Sequence, residues 1–200
     1  MPVFSKRAMA ALAVPLMALT LAGCGSGAGN DAAANGTAAE RPSDRTLADQ
    51  LGSADGLDTV NDLARNAGLE DVLGGIGPYT IFAPTDAAFK AMGDDRISEL
   101  KSDAMKAQDA SLMTAHIVPG FLTTQDIENA IAANNGAVEM TTMADGKLTF
   151  SKEGGALVVT ADNGAKATLT GSQTLASNGA IHPVSALLLP TEVAQAKTEQ

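Results

Sequence analysis

Hydrophobic positions along this chain change period twice, and the changes divide it into an apolar leader, a helical half and a strand-rich half. Ala8 to Leu21 is a short apolar run behind Lys6 and Arg7, interrupted by Pro15. It is shorter than the ~20 apolar residues of a bilayer span and has the length of a signal-peptide core. Gly25 to Arg45 is rich in Gly, Ala, Ser and Asn and has no periodicity, which predicts a flexible tether. From Thr46 the pattern is helical: Leu57, Val60, Leu63, Ala64 and Ala67 recur on one face, with Gly68 as a stop. A short turn over Leu69 to Leu73 leads to Gly74-Gly75.

Tyr79 to Ala83 carries aromatic and β-branched residues on both alternating faces, as a strand covered on both sides does. Pro84 ends it, and Thr85 is placed to cap a helix beginning at Asp86, whose charge favours the positive end of the helix dipole. Phe89 and Met92 share a face of that helix and Gly93 stops it, so Asp94-Asp95 reads as a polar turn rather than a catalytic carboxylate pair. Ile97, Leu100 and Met105 mark further helix. His116 follows Leu112 by four residues and Met113 by three, which puts it on their apolar face before Pro119-Gly120 turns the chain. Thr123 to Asp126 has the form of a capping box for a helix carrying Ile127, Ala130 and Ile131, ending at Asn134-Asn135-Gly136.

Beyond Gly136 the signals are those of hairpins. Asp145-Gly146, Gly154-Gly155, Asn163-Gly164 and Asn178-Gly179 separate short Val, Leu, Thr and Phe runs, predicting an antiparallel sheet with Met140, Leu148, Phe150, Leu157, Val159 and Leu169 in its core. Asn178-Gly179 turns into a last apolar strand, Ala180 to Leu189, where Pro183 predicts an edge or a bulge. Helices first and strands later make an α+β domain, with the Tyr79 strand entering the sheet from the helical half. About 145 residues bury enough surface to need no metal or disulfide staple.

Composition removes several function classes. The formal charge of −10 argues against a nucleic-acid partner. One Cys allows neither an internal disulfide nor a thiolate metal cluster from this chain alone. No G-x-S-x-G, H-E-x-x-H or Cys–His pair occurs, and Asp162-Asn163-Gly164 has only part of a calcium loop, so it reads as a hairpin turn. No cofactor and no metal site is called for. Two histidines remain, His116 and His182, the latter between Ile181 and Pro183 in a strand that must pack. Both are expected to be buried, neutral and structural, with pKa values depressed by desolvation.

Two resemblances carry the rest. Leu21-Ala22-Gly23-Cys24 resembles the lipobox of bacterial lipoproteins, which implies cleavage before Cys24 and lipidation of that cysteine. Removing residues 1–23 also removes Lys6 and Arg7, which takes the charge from −10 to −12. Gly25 rather than Asp follows the cysteine, which in Gram-negative lipoproteins implies export to the outer membrane. Thr80 to Phe89, Leu112 to Gly120 with His116, and Asn178 to Pro190 with Ile181-His182 resemble, in that order, the three motifs of the fasciclin (FAS1) domain. The resemblance covers about residues 44–192. Ala115 stands where the family usually has Tyr, and Pro183 and Ser185 stand for its usual Val and Asp.

The resemblance implies a single α+β domain with a wedge-shaped antiparallel sheet and packed helices. It implies a role in adhesion or interaction at the cell envelope, without a catalytic residue set. The expected organisation is a signal peptide (1–23), a lipidated tether (24–45), a FAS1-like domain (46–192) and a polar tail (193–200). The expected partners are the membrane, through the lipid, and a surface protein, a polysaccharide or a second copy of the chain. Thr85, Asp86, His116, Asn178, Gly179 and His182 are the candidate interaction or structural residues. The alternative is a small-ligand-binding or hydrolytic envelope protein using His116 or His182 with Asp86.

Overall fold

A computed structural model describes residues 41–188. The expected signal peptide, Cys24, the tether up to residue 40 and the tail lie outside the described residues. The helical half begins with α1 (Leu47–Leu51), α2 (Asp58–Asn66) and α3 (Glu70–Gly74), so a single helical turn stands where a plain turn was expected. Then come β1 (Tyr79–Pro84), α4 (Asp86–Lys90), α5 (Asp94–Leu100), α6 (Lys106–Ala115), β2 (Ile117–Pro119) and α7 (Thr124–Ala133). The hairpin half is β3 (Ala137–Thr141), β4 (Lys147–Glu153), β5 (Ala156–Ala161), β6 (Lys166–Thr168), β7 (Thr174–Ala176) and β8 (Gly179–Val184).

The predicted caps form. Thr85 accepts from the Ala88 N–H, and Thr123 and Asp126 make a reciprocal capping box. Asp94 and Asp95 correct the expected loop: they open α5, where their charges face the positive end of its dipole.

The strands form two four-stranded sheets rather than one. In the first the order is β2-β1-β8-β7, in the second β3-β4-β5-β6. The Tyr79 strand therefore does not enter the hairpin sheet. It pairs antiparallel with β2 and parallel with β8, with Tyr79 opposite Gly179 and Phe82 opposite His182.

Side-chain alternation shows why the first sheet is a middle layer. Ile81, Ala83, Ile117 and Ile181 point into a cluster built with α1, α2, α4 and α6, through Leu47, Val60, Leu63, Phe89 and Met113. Phe82, Val118 and Val184 point the other way, into a cluster with Ile127 and Ile131 of α7 and Leu148, Phe150 and Val159 of the second sheet. Strands covered on both faces need apolar residues at successive positions, and β1 has them. The second sheet has one face on this core and one in water, which is why β3 and β4 alternate. Of the expected core, Leu148, Phe150, Leu157 and Val159 are buried, while Met140 and Leu169 are half-buried at its margin.

Pro183 does not put β8 at an edge, because β1 and β7 flank it. The reason is local. β7 covers only Gly179 to Ile181, and the Pro183 carbonyl accepts from the Thr170 N–H at 2.8 Å instead. An N–H and a C=O of one strand residue point the same way, so the missing donor of Pro183 falls on the uncovered side and away from β1.

Gly179 is a strand residue, not part of the turn, and its need is for space. A Cβ there would sit 1.9 Å from the Tyr79 carbonyl oxygen and 2.7 Å from Leu47 Cδ1. Gly179→Ala must therefore push β8 from β1, and the expected outcome is a loss of at least ~3 kcal/mol in urea denaturation or failure to fold. An unchanged midpoint would contradict the close approach.

Candidate functional site

The sequence-predicted residues fall into three groups, each joining segments far apart in the chain. The first is Asn178. Its Oδ1 accepts from the Leu47 N–H at 2.8 Å, and its amide donates to the carbonyls of Leu73 at 2.8 Å and Gly75 at 2.7 Å. Leu47 begins α1, where a helix leaves N–H groups without partners, so the side chain completes one helix start and the end of α3 together. The Asn178 carbonyl accepts from the Tyr79 N–H at 3.1 Å, which starts the β1–β8 ladder. Gly77 has φ +64° and packs on that carbonyl, so closely that a Cβ would lie 2.5 Å from the oxygen.

Thr85 and Asp86 form the second group. The Thr85 N–H continues the ladder onto the Val184 carbonyl at 3.1 Å. Asp86 Oδ1 accepts from the Thr59 N–H at 2.8 Å. Helix α2 has no side-chain cap of its own at Leu57, so Asp86 caps it from another element. Burial works against the Asp86 charge. Bonds from the Thr59 N–H and hydroxyl and the Asp58 N–H, with the charge of Lys90, outweigh it and hold the carboxyl below the ordinary range.

The histidines form the third group, both beside Phe82 of β1: the His116 carbonyl accepts from the Phe82 N–H, and His182 pairs with Phe82 across the β1–β8 ladder. His116 is fully buried at the end of α6, as its spacing predicts. Nε2 accepts from the Leu188 N–H at 2.9 Å, so the proton is on Nδ1, which donates to the Leu112 carbonyl at 2.8 Å. Burial lowers its pKa to about 4, against a smaller opposing effect of the Leu112 bond. His182 is 2% exposed and stacks on Phe82, with ring centroids 5.4 Å apart, and Phe82 meets Phe150 at 4.8 Å. Its Nε2–H donates to the Leu122 carbonyl at 2.8 Å, and burial lowers its pKa too.

The expectation that both histidines are buried and neutral agrees with this geometry. Asp86 is not brought to them: among the described residues no hydrogen bond or ion pair joins it to His116 or His182. Both His116 nitrogens are engaged, so it offers neither a free base nor a ligand. Among the described residues no group of three or more His, Cys, Asp or Glu could hold a metal ion.

Two residues were missed by sequence reasoning. Thr80 is fully buried; its hydroxyl donates to the Gly120 carbonyl at 2.7 Å and accepts from the Leu122 N–H at 3.0 Å. It thereby fixes the segment whose carbonyl receives His182. Asp109 is fully buried on α6, where Oδ2 accepts from Asn66 and Oδ1 has no partner, and burial raises its pKa. Asp109, Leu112, Met113 and His116 follow helical spacing, so extending the apolar face back one turn would have reached it.

With this geometry in hand, the sequence pattern of the Fasciclin domain matches residues 55–190, and the chain belongs to that family. Protein sll1483 of Synechocystis sp. is 28% identical over 145 residues, covering 72% of this chain and 73% of that protein. Cell surface glycolipoprotein MPB83 of Mycobacterium bovis is 38% identical over 69 residues, 34% of this chain and 30% of that one. The structure of a FAS1 domain pair from the insect cell adhesion molecule Fasciclin I superimposes with a TM-score of 0.64 at 20% identity. That superposition covers 75% of this chain and 52% of the other, and it shows the fold. The chain thus spans about half of that structure and less than a third of MPB83.

Because His116 folds in its neutral form, protonation favours the unfolded chain. Its contribution is fully present above the unfolded pKa of ~6.5 and is lost as pH falls towards the folded value of about 4. The expected loss across that window is about 3 kcal/mol at ~1.4 kcal/mol per pH unit, read from urea denaturation at pH 7.5 and pH 4. Its ring proton resonances should not titrate between pH 8 and pH 5.5; a midpoint near 6.5 would contradict the burial.

Asp109 has the opposite sign. A raised carboxyl pKa means that stability falls as pH rises through the carboxylate range. Asp109→Asn keeps an acceptor for Asn66 and removes the buried charge. It should raise the denaturation midpoint at pH 7 and leave it nearly unchanged at pH 3, and a lower midpoint at pH 7 would refute this reading.

Proposed function

We propose that this protein is a lipid-anchored interaction module of the bacterial cell envelope, acting by binding rather than by turnover. Cleavage before Cys24 and acylation of its thiol anchor the chain. Residues 24–45 act as a tether of about 25 Å root-mean-square reach at ~5–6 Å × √n, and the fasciclin domain of residues 46–192 is presented from the surface. The tail from 193 is polar. With Gly25 after the cysteine, a Gram-negative cell exports the protein to its outer membrane.

The observation that carries the reading is how the motif residues are used. Asn178, Thr85, Asp86 and His116 are each committed to backbone groups inside the domain, so these motif residues serve the fold rather than supply a base, nucleophile or ligand. No helix among the described residues is long and apolar enough to cross a membrane. MPB83 is named a cell surface glycolipoprotein and Fasciclin I a cell adhesion molecule, which supports the same placement here. The net negative charge directs the domain to partners other than nucleic acid.

The test is the anchor. Burying acyl chains contributes ~0.8 kcal/mol per CH₂, and stable attachment takes more than one chain. Cys24→Ser should move the protein from the membrane pellet to the soluble fraction and abolish labelling by a palmitate analogue. A serine variant that stays with membranes after a high-salt wash overturns the lipid anchor.

A further inference from the structure

Helix α7, strand β8 and the segment between β6 and β7 enclose a cleft of about 210 Å³. Thr124 and Glu128 line it from one face of α7, a single turn apart, and His182 and Pro183 line it from β8. Leu169 and Thr170 close the third side.

His182 makes the cleft chemically specific. Its Nε2–H is committed to the Leu122 carbonyl, so Nδ1 carries the lone pair. That nitrogen has no hydrogen-bond partner among the described residues, although the residue is only 2% exposed. It is not one of the fully buried polar atoms left without a partner among the described residues, so His182 Nδ1 is reachable from the cleft and can accept from a ligand donor. Charge narrows the choice. Among the residues that line the cleft there is no lysine or arginine, and the one carboxylate, Glu128, is paired with Lys152 at 2.8 Å, so the lining favours a neutral ligand. Thr124 and Thr170 add hydroxyls, while Leu169 and Pro183 offer apolar surface. The volume lies below the ~300–1,000 Å³ of sites for larger molecules and suits one small ring.

We propose that this cleft binds a neutral sugar unit of a polysaccharide, with a ligand hydroxyl donating to His182 Nδ1 and the C–H face of the ring on Leu169 and Pro183. The proposal rests on the surface-interaction reading and names its partner. The Thr124 hydroxyl, which donates to Gln173 Oε1 at 3.1 Å, keeps its own oxygen lone pairs for a ligand hydroxyl.

The test titrates the full chain with cellotetraose, chitotetraose, maltotetraose and mannotetraose while following the His182 ring and the Thr124 and Thr170 amides by NMR. The expected result is saturable shifts at these positions with at least one glycan. Thr170→Trp, which fills the cleft, should weaken that glycan by roughly tenfold or more, equivalent to ~1.4 kcal/mol, with the urea midpoint retained. Thr124→Val removes a rim hydroxyl without adding bulk and serves if the Trp variant is destabilised. Shifts with none of the glycans, or unchanged affinity in a folded variant, overturn the proposal. So does a response only to peptides. If envelope material still binds the folded Trp variant as well as the wild type, the cleft assignment falls and the surface-interaction reading stands. If envelope material binds neither while the glycan shifts persist, the broader reading falls instead.

Discussion

The parallel pairing of β1 with β8 is the contact on which the rest of this domain depends. It joins residue 79 to residue 179 and makes one strand pair serve as the shared wall of two cores. The ladder begins where Asn178 hands its carbonyl to Tyr79 and ends where Thr85 reaches Val184. Only a residue without a side chain lets the backbones come this close at Gly179, with Leu47 packed over the gap. Closing so long a loop is entropically costly, so the ladder needs reinforcement from side chains that read both ends. Asn178 does this at one end, through α1 and α3; Thr85 and Asp86 do it at the other, through α4 and α2.

The two histidines extend the same logic through the sheet. His116 ties α6 to Leu188, and His182 ties β8 to the Leu122 carbonyl. Each uses a neutral imidazole because that ring can donate and accept at once without bringing a charge into a dry core. The difference between them is one nitrogen. His116 has both engaged; His182 keeps one for the cleft. A motif residue can therefore be structural through one atom and open to a ligand through another.

Much of this was legible because it is local. The buried β1 strand, the Thr85 and Thr123 caps and the placing of His116 on the face of Leu112 and Met113 all depend on residues within a turn or two of each other. The hairpin half was equally readable from its Gly-containing turns. What the local pattern could not carry was pairing between distant segments. It predicted one sheet where there are two, because the turn signals mark strands but do not say which strand lies beside which. Pro183 reads as an edge or a bulge, yet β8 is flanked on both sides and the missing donor falls where β7 has already ended. Asp86 was read as a first-turn charge of its own helix, whereas its main bond caps α2, 27 positions earlier.

The same distinction separates the motif from the function. Residues recognisable in sequence are those whose environment admits few alternatives: the glycine that two backbones squeeze, the asparagine whose three side-chain bonds join two segments, the histidine that must be neutral. They make the fold reproducible, and a fold that consumes its polar groups internally leaves recognition to whatever lines its clefts. In the proposed cleft those residues are Thr124, Glu128, Leu169 and Thr170, read in sequence, where read at all, as cap or core, beside His182 Nδ1. Partner choice in such a domain can thus change by substitution at the rim while the β1–β8 ladder and its reinforcing side chains stay as they are.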